Sequence, residues 1–156
     1  MDSRRSYSEL HSGMLGCPDR ELLGFLDSGS LKLVNAVAGV ITQRRIFDRV
    51  YESLCSGDVK TALGRKVALS ILLYQGRQYP RSYDACVQMT ADRSKRVVEE
   101  ALFGLCLWNN PAALPALDHV RAPGTEKLVS LAREALKAGD FRLYSPYFEP
   151  GSCWST

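Results

Sequence analysis

His119 directly follows Asp118, and a histidine beside a carboxylate supplies the two groups of a general base and its orienting partner. Sequence neighbours on a helix project in different directions, however, so the pair reads as a surface histidine next to a surface acid. The five cysteines, Cys17, Cys55, Cys86, Cys106 and Cys153, form no C-x-x-C pair, and the two histidines, His11 and His119, do not complete a usual zinc set with them. Cys86 and Cys106 stand among apolar residues, where a thiol is inert packing. The chain contains no H-E-x-x-H, G-x-S-x-G, P-loop or Rossmann glycine pattern. No catalytic residue, metal or cofactor is expected.

A binding chemistry is written more clearly in "GDVKTALGRKVALSILLYQGRQ", from Gly57 to Gln78. Gly64 and Arg65 open the most apolar stretch of the chain, and a glycine inside a helix costs about 1 kcal/mol relative to alanine. Two readings account for it. Gly64 lets two helices of one bundle touch while Arg65 is solvated, or Gly64 admits the backbone of a partner helix whose carboxylate Arg65 holds by a charge-assisted hydrogen bond. In the second reading Val50 and Leu54 on the preceding helix, with Val67, Ala68 and Ile71 on the helix itself, form the apolar floor.

The elements that would position these residues follow from periodicity and punctuation. The 156 residues, 46% of them hydrophobic, suit one domain with one core. Residues 1–17 read as a flexible lead-in, 18–140 as a helical bundle and 141–156 as an irregular aromatic tail carrying Tyr144, Tyr147, Phe148 and Trp154. Pro18 opens a short helix that stops near Asp27 to Gly29. Ser30 caps a long one whose apolar residues run from Leu31 to Leu54, with Gly39 either bending it or packed on a neighbour. Ser56-Gly57 ends it, and Asp58 or Thr61 caps a third helix from Val59 to about Tyr79, apolar on almost every side and therefore central. Pro80 precedes a short helix over Arg81–Met89, and Asp92 caps an amphipathic one that ends at Asn109. After Pro111 a short helical stretch reaches His119, and Thr125 caps the last helix, closed by Gly139. No alternating strand pattern occurs, so the class is all-α, a bundle of six or seven helices about the central apolar one.

Charge narrows the partners. A formal net charge of +3 is mild, and the basic clusters "QRRIFDR" (Gln43 to Arg49) and "DRSKR" (Asp92 to Arg96) are interleaved with acids, as on solvated helix faces. Nucleic acid is not expected as a partner. No run of about 18 apolar residues supplies a membrane anchor, no secretory signal opens the chain, and the cysteine usage fits the reducing cytosol.

The segment from Ile41 to Gly76 resembles the region of Bcl-2 proteins around their first conserved homology segment, where an amphipathic helix, a glycine turn and an Asn-Trp-Gly-Arg signature open a central apolar helix. Here Ala62, Leu63, Gly64 and Arg65 stand at the signature, without its Asn and Trp. The chain is most similar to the divergent adenoviral small T-antigen class, which keeps the Gly-Arg step; "VVEEALFGLCLW", Val97 to Trp108, is similar to the apolar helix that follows in that class. The Gly-Gly-Trp of the family's second segment has no counterpart, and Gly39 is followed by Val40 where the third segment has Gly-Asp. The resemblance implies a Bcl-2-like bundle that regulates apoptosis by binding the amphipathic death segments of pro-apoptotic relatives, whose aspartate meets Arg65. It implies a cytoplasmic protein that reaches mitochondria through its partners. The alternative is a viral or cellular helical structural or interaction protein that forms homo-oligomers through its aromatic tail, and a nucleic-acid-binding helical bundle is the third reading.

Overall fold

Ser6 and Glu9 start the first element together: the Ser6 hydroxyl accepts the Glu9 N–H (3.3 Å) and the Glu9 carboxylate accepts the Ser6 N–H (2.6 Å). This reciprocal cap satisfies two otherwise orphan donors and begins helix α1, Tyr7–Met14, within the stretch expected to be a flexible lead-in. The correction has a packing cause. Leu10 and Met14, four residues apart, bury one stripe of α1, and the helix packs on α3 (Leu31–Arg44). Gly39 of α3 receives it, because a Cβ there would lie 2.5 Å from the Tyr7 hydroxyl and 3.1 Å from the His11 ring. Gly39 is therefore a close-packing position.

The computed structural model describes residues 5–144, and among these every regular element is helical. Helix α2, Asp19–Gly24, runs into a 3-10 turn over Phe25–Asp27; α3 follows, capped by the Ser30 hydroxyl, which accepts the Leu33 N–H. The helix expected to continue to Leu54 instead breaks. Arg45 adopts a left-handed conformation (φ 56°), and α4, Phe47–Cys55, begins beyond it. Neither glycine nor proline marks this turn. It is held from outside the segment by Arg44, which pairs with Asp19 (2.9 Å) and donates to the Leu15 carbonyl (2.7 Å), and within it by the Arg45 guanidinium, 5.6 Å from the centre of the Phe47 ring. Arg49 also faces Asp19 at 3.5 Å, so the basic cluster over residues 43–49 is partly paired within the chain.

Helix α5 spans Ala62–Leu73 and is shorter than expected, since Gly76 takes a positive φ (57°) and the chain tightens into a 3-10 turn over Gly76–Gln78. No residue of α5 is exposed. Then come α6, Arg81–Met89, α7, Lys95–Trp108, a 3-10 stretch over Pro111–His119, α8, Glu126–Ala138, and a 3-10 turn over Phe141–Tyr144. Asp92 does not cap as expected, and Thr125 stands at the expected cap position without a side-chain cap bond. Asp92 accepts the N–H of Ser94, which occupies the cap position, and the Thr125 hydroxyl donates to the Ala122 carbonyl.

The chain divides into two compact units, residues 1–71 and 72–156. In the first, α3 packs with α1, with α2 and with the turn after α2. In the second, α7 packs with α6, α8 and the turn at Phe141–Tyr144. Eight of the residues of α7, from Val97 to Leu107, are buried, so this helix, expected to be amphipathic, is itself a core rod. At Gly104 an added Cβ would stand 2.5 Å from Cys86 Sγ and 2.7 Å from Leu73 Cδ2. Gly104→Ala should therefore destabilise the protein by about 1 kcal/mol in denaturant titration, overpacking outweighing the helix-propensity gain; a stabilised variant would contradict this contact. The aromatic tail begins as packing, since Tyr144 is buried and donates to the Glu99 carbonyl (3.3 Å), whereas Tyr147, Phe148 and Trp154 lie outside the described residues.

Candidate functional site

The threshold of α5 is assembled from two stretches far apart in sequence. Thr61 precedes the helix, and its hydroxyl oxygen accepts the Gly64 N–H (3.0 Å), as one of the two expected caps. A second cap arrives from Asp27, thirty-odd residues earlier. Its carboxylate accepts the backbone N–H of Lys60 (2.9 Å) and of Thr61 (2.8 Å), and the Thr61 hydroxyl (2.9 Å). These N–H groups immediately precede α5, and an anion placed at a helix start is favoured by the dipole behind it. Burial pushes the Asp27 carboxyl up, but the hydrogen bonds from Lys60 and Thr61, helped by the positive charge of Arg65, outweigh it and hold the group below its usual range. A carboxylate lowered in the folded state contributes stability above about pH 4, and that contribution is lost as the pH falls through its folded value.

Gly64 is buried, and the reason is intramolecular. A Cβ at this position would lie 2.6 Å from the Leu26 carbonyl oxygen, 2.8 Å from Thr61 Oγ1 and 2.9 Å from Val59 Cγ1. The close approach that glycine permits is thus used by the chain's own backbone, one residue before the carboxylate. Arg65 is half-buried and donates from Nη1 to the Lys60 carbonyl (2.6 Å), which holds the guanidinium at the same threshold.

The five residues expected to form an apolar floor are less exposed than a preformed groove requires. Val50, Leu54, Ala68 and Ile71 are buried, and Val67 alone of the five is half-exposed. The physical reason is that α4 presents Phe47, Val50 and Leu54 at spacings of three and four residues, and such a stripe is covered by the unit's own core. The residues that sequence reasoning missed are Leu22, Leu26 and Asp27. Their signal in the sequence is "LLGFLD", in which Leu22 and Leu26 stand four apart and an acid follows, a pattern that by itself marks only the end of a short helix.

The other candidates resolve plainly. Asp118 pairs with Arg133 at 3.1 Å, so its carboxylate serves a salt bridge. Burial raises the Cys86 thiol well above its ordinary range and pushes Cys106 up to about 12, the opposite of what a nucleophile needs. Cys17 and Cys55 are half-buried, and Cys153 lies outside the described residues. Among the described residues no group of histidines, cysteines and acids could hold a metal, and no helix is long and apolar enough to cross a membrane.

Comparison of the chain with protein-family models, with curated proteins and with solved structures found no match.

Proposed function

We propose that this protein is a non-catalytic, Bcl-2-like regulator of apoptosis, which binds the amphipathic death segments of pro-apoptotic Bcl-2 relatives at the threshold of α5. The single observation that supports the reading is the chemistry collected there: a glycine that tolerates a backbone at contact distance, N–H groups just before the helix that donate to a carboxylate, and a guanidinium beside them. These are the groups that an aspartate-bearing amphipathic helix requires of its receptor. Gly64 and Arg65 supply orientation, while Val50, Leu54, Val67, Ala68 and Ile71 supply apolar surface once the floor is uncovered. The protein acts in the cytoplasm and reaches mitochondria through the proteins it binds.

Arg65→Glu tests the reading. Reversing the charge should weaken a synthetic death-segment peptide at least 100-fold in calorimetric titration, because the peptide aspartate then meets a like charge. Thermal unfolding of the variant, followed by circular dichroism, verifies that the fold survives. An affinity unchanged from the parent protein would reject the site. Oligomers that disappear in light scattering when residues 144–156 are removed, with no peptide bound by the monomer, would favour the self-assembling alternative.

A further inference from the structure

We infer that the segment Asp19–Asp27 is an intramolecular latch, seated on the α5 threshold in place of a partner helix and displaced when one binds. The inference rests on the reading that this threshold receives a helix, and it adds how access to it is controlled. The latch duplicates the groups that such a ligand would bring. The Leu26 carbonyl fills the space that Gly64 leaves, and the Asp27 carboxylate occupies the N–H groups of Lys60 and Thr61. Two ligands that need the same donors and the same clearance cannot be bound together.

The construction of the segment suits release. Helix α2 has six residues, no side-chain bond caps its start at Pro18, and it passes directly into a 3-10 turn. So short a helix has little stability apart from what it packs against. Its two ends are held by carboxylates: Asp19 is paired with Arg44 and Arg49, and Asp27 is bound at the threshold. Beyond Asp27 the exposed Ser28-Gly29-Ser30, with Gly29 at φ 78°, forms the turn about which the segment pivots, and release also parts α2 and its 3-10 turn from α3 and Asp19 from Arg44. Local opening of this kind is the low-free-energy end of the native ensemble.

The test uses the full chain and its Asp27→Asn variant, which keeps the side-chain shape and removes the charge. In native-state hydrogen exchange, the amides of residues 22–28 and of Thr61 should exchange at least ten times faster than those of Val37 and Val40 in α3, and with little dependence on denaturant. Asp27→Asn should accelerate them about tenfold further and tighten a synthetic death-segment peptide by about tenfold. If residues 22–28 exchange at the rate and with the denaturant dependence of α3, the segment is fixed core and the latch is refuted, whatever the peptide does. If they open separately but Asp27→Asn leaves peptide affinity unchanged or weaker, displacement is refuted while helix binding stands. If neither protein binds the peptide, the partner reading fails, and the latch, having nothing to exclude, falls with it.

Discussion

Leu102→Ala is expected to remove about 2–5 kcal/mol of stability from the unit built around α7, the loss of transfer free energy together with the cavity left behind. Leu102 is completely buried, on a helix whose neighbouring positions Val98, Ala101, Leu105 and Cys106 are buried as well. Little in such surroundings can collapse into the gap without moving a packed element. The matching control is Tyr74→Ala: that ring is 77% exposed, and its removal should change stability by no more than about 0.5 kcal/mol. Chemical denaturation followed through Trp108 fluorescence, in a Trp154→Phe background, measures both. A cost at Leu102 below about 1 kcal/mol would show that α7 is not a core rod.

Gly64→Val carries the second large effect and reports on the α5 threshold directly. Even the first atom of a side chain at residue 64 would stand 2.6 Å from the Leu26 carbonyl oxygen, and valine adds two methyl groups to it. Backbone cannot yield as a flexible side chain does, so the Leu26-Asp27 strand of contacts must lift from α5 or the helix must shift. We expect about 3 kcal/mol of destabilisation, at the upper end of ordinary overpacking. Gly64→Ala provides the test of sign. In an unconstrained helix interior the change gains about 1 kcal/mol; here it should be a loss. A stabilised alanine variant in urea titration would mean that the carbonyl is not at contact distance.

The Asp27 carboxylate also illustrates where sequence reading stops. Thr61 was legible as a cap because a cap is a local pattern, a hydroxyl three residues before the N–H it accepts, and the structure has that bond. Asp27 was not, because its partners Lys60 and Thr61 are adjacent only after the chain has folded back over α3 and α4. Gly64 was recognised as a close-approach position from its cost in a helix, yet what approaches it was open. The floor residues Val50, Leu54, Ala68 and Ile71 were selected by periodicity, which tells an inward face from an outward one and does not tell a groove from a core.

Helix α1 shows a different shortfall. The Ser6-x-x-Glu9 pattern and the Leu10/Met14 pair were present in the sequence, but the glycines and small polar residues around them outweighed two apolar positions. The recess that makes those two positions sufficient is Gly39 on another helix.

By itself, then, the sequence determined the all-helical class, the Pro18 and Ser30 helix starts, and the endings at Gly57, Asn109 and Gly139, because each depends on residues within a turn or two of one another. Tertiary structure alone decided the break at Arg45, the division into two units, the core position of α7 and the seating of Leu26 and Asp27 on Gly64 and Thr61. Local propensities differ by about 1 kcal/mol or less per residue, whereas contacts between distant segments bring several at once. Where the two compete, packing prevails.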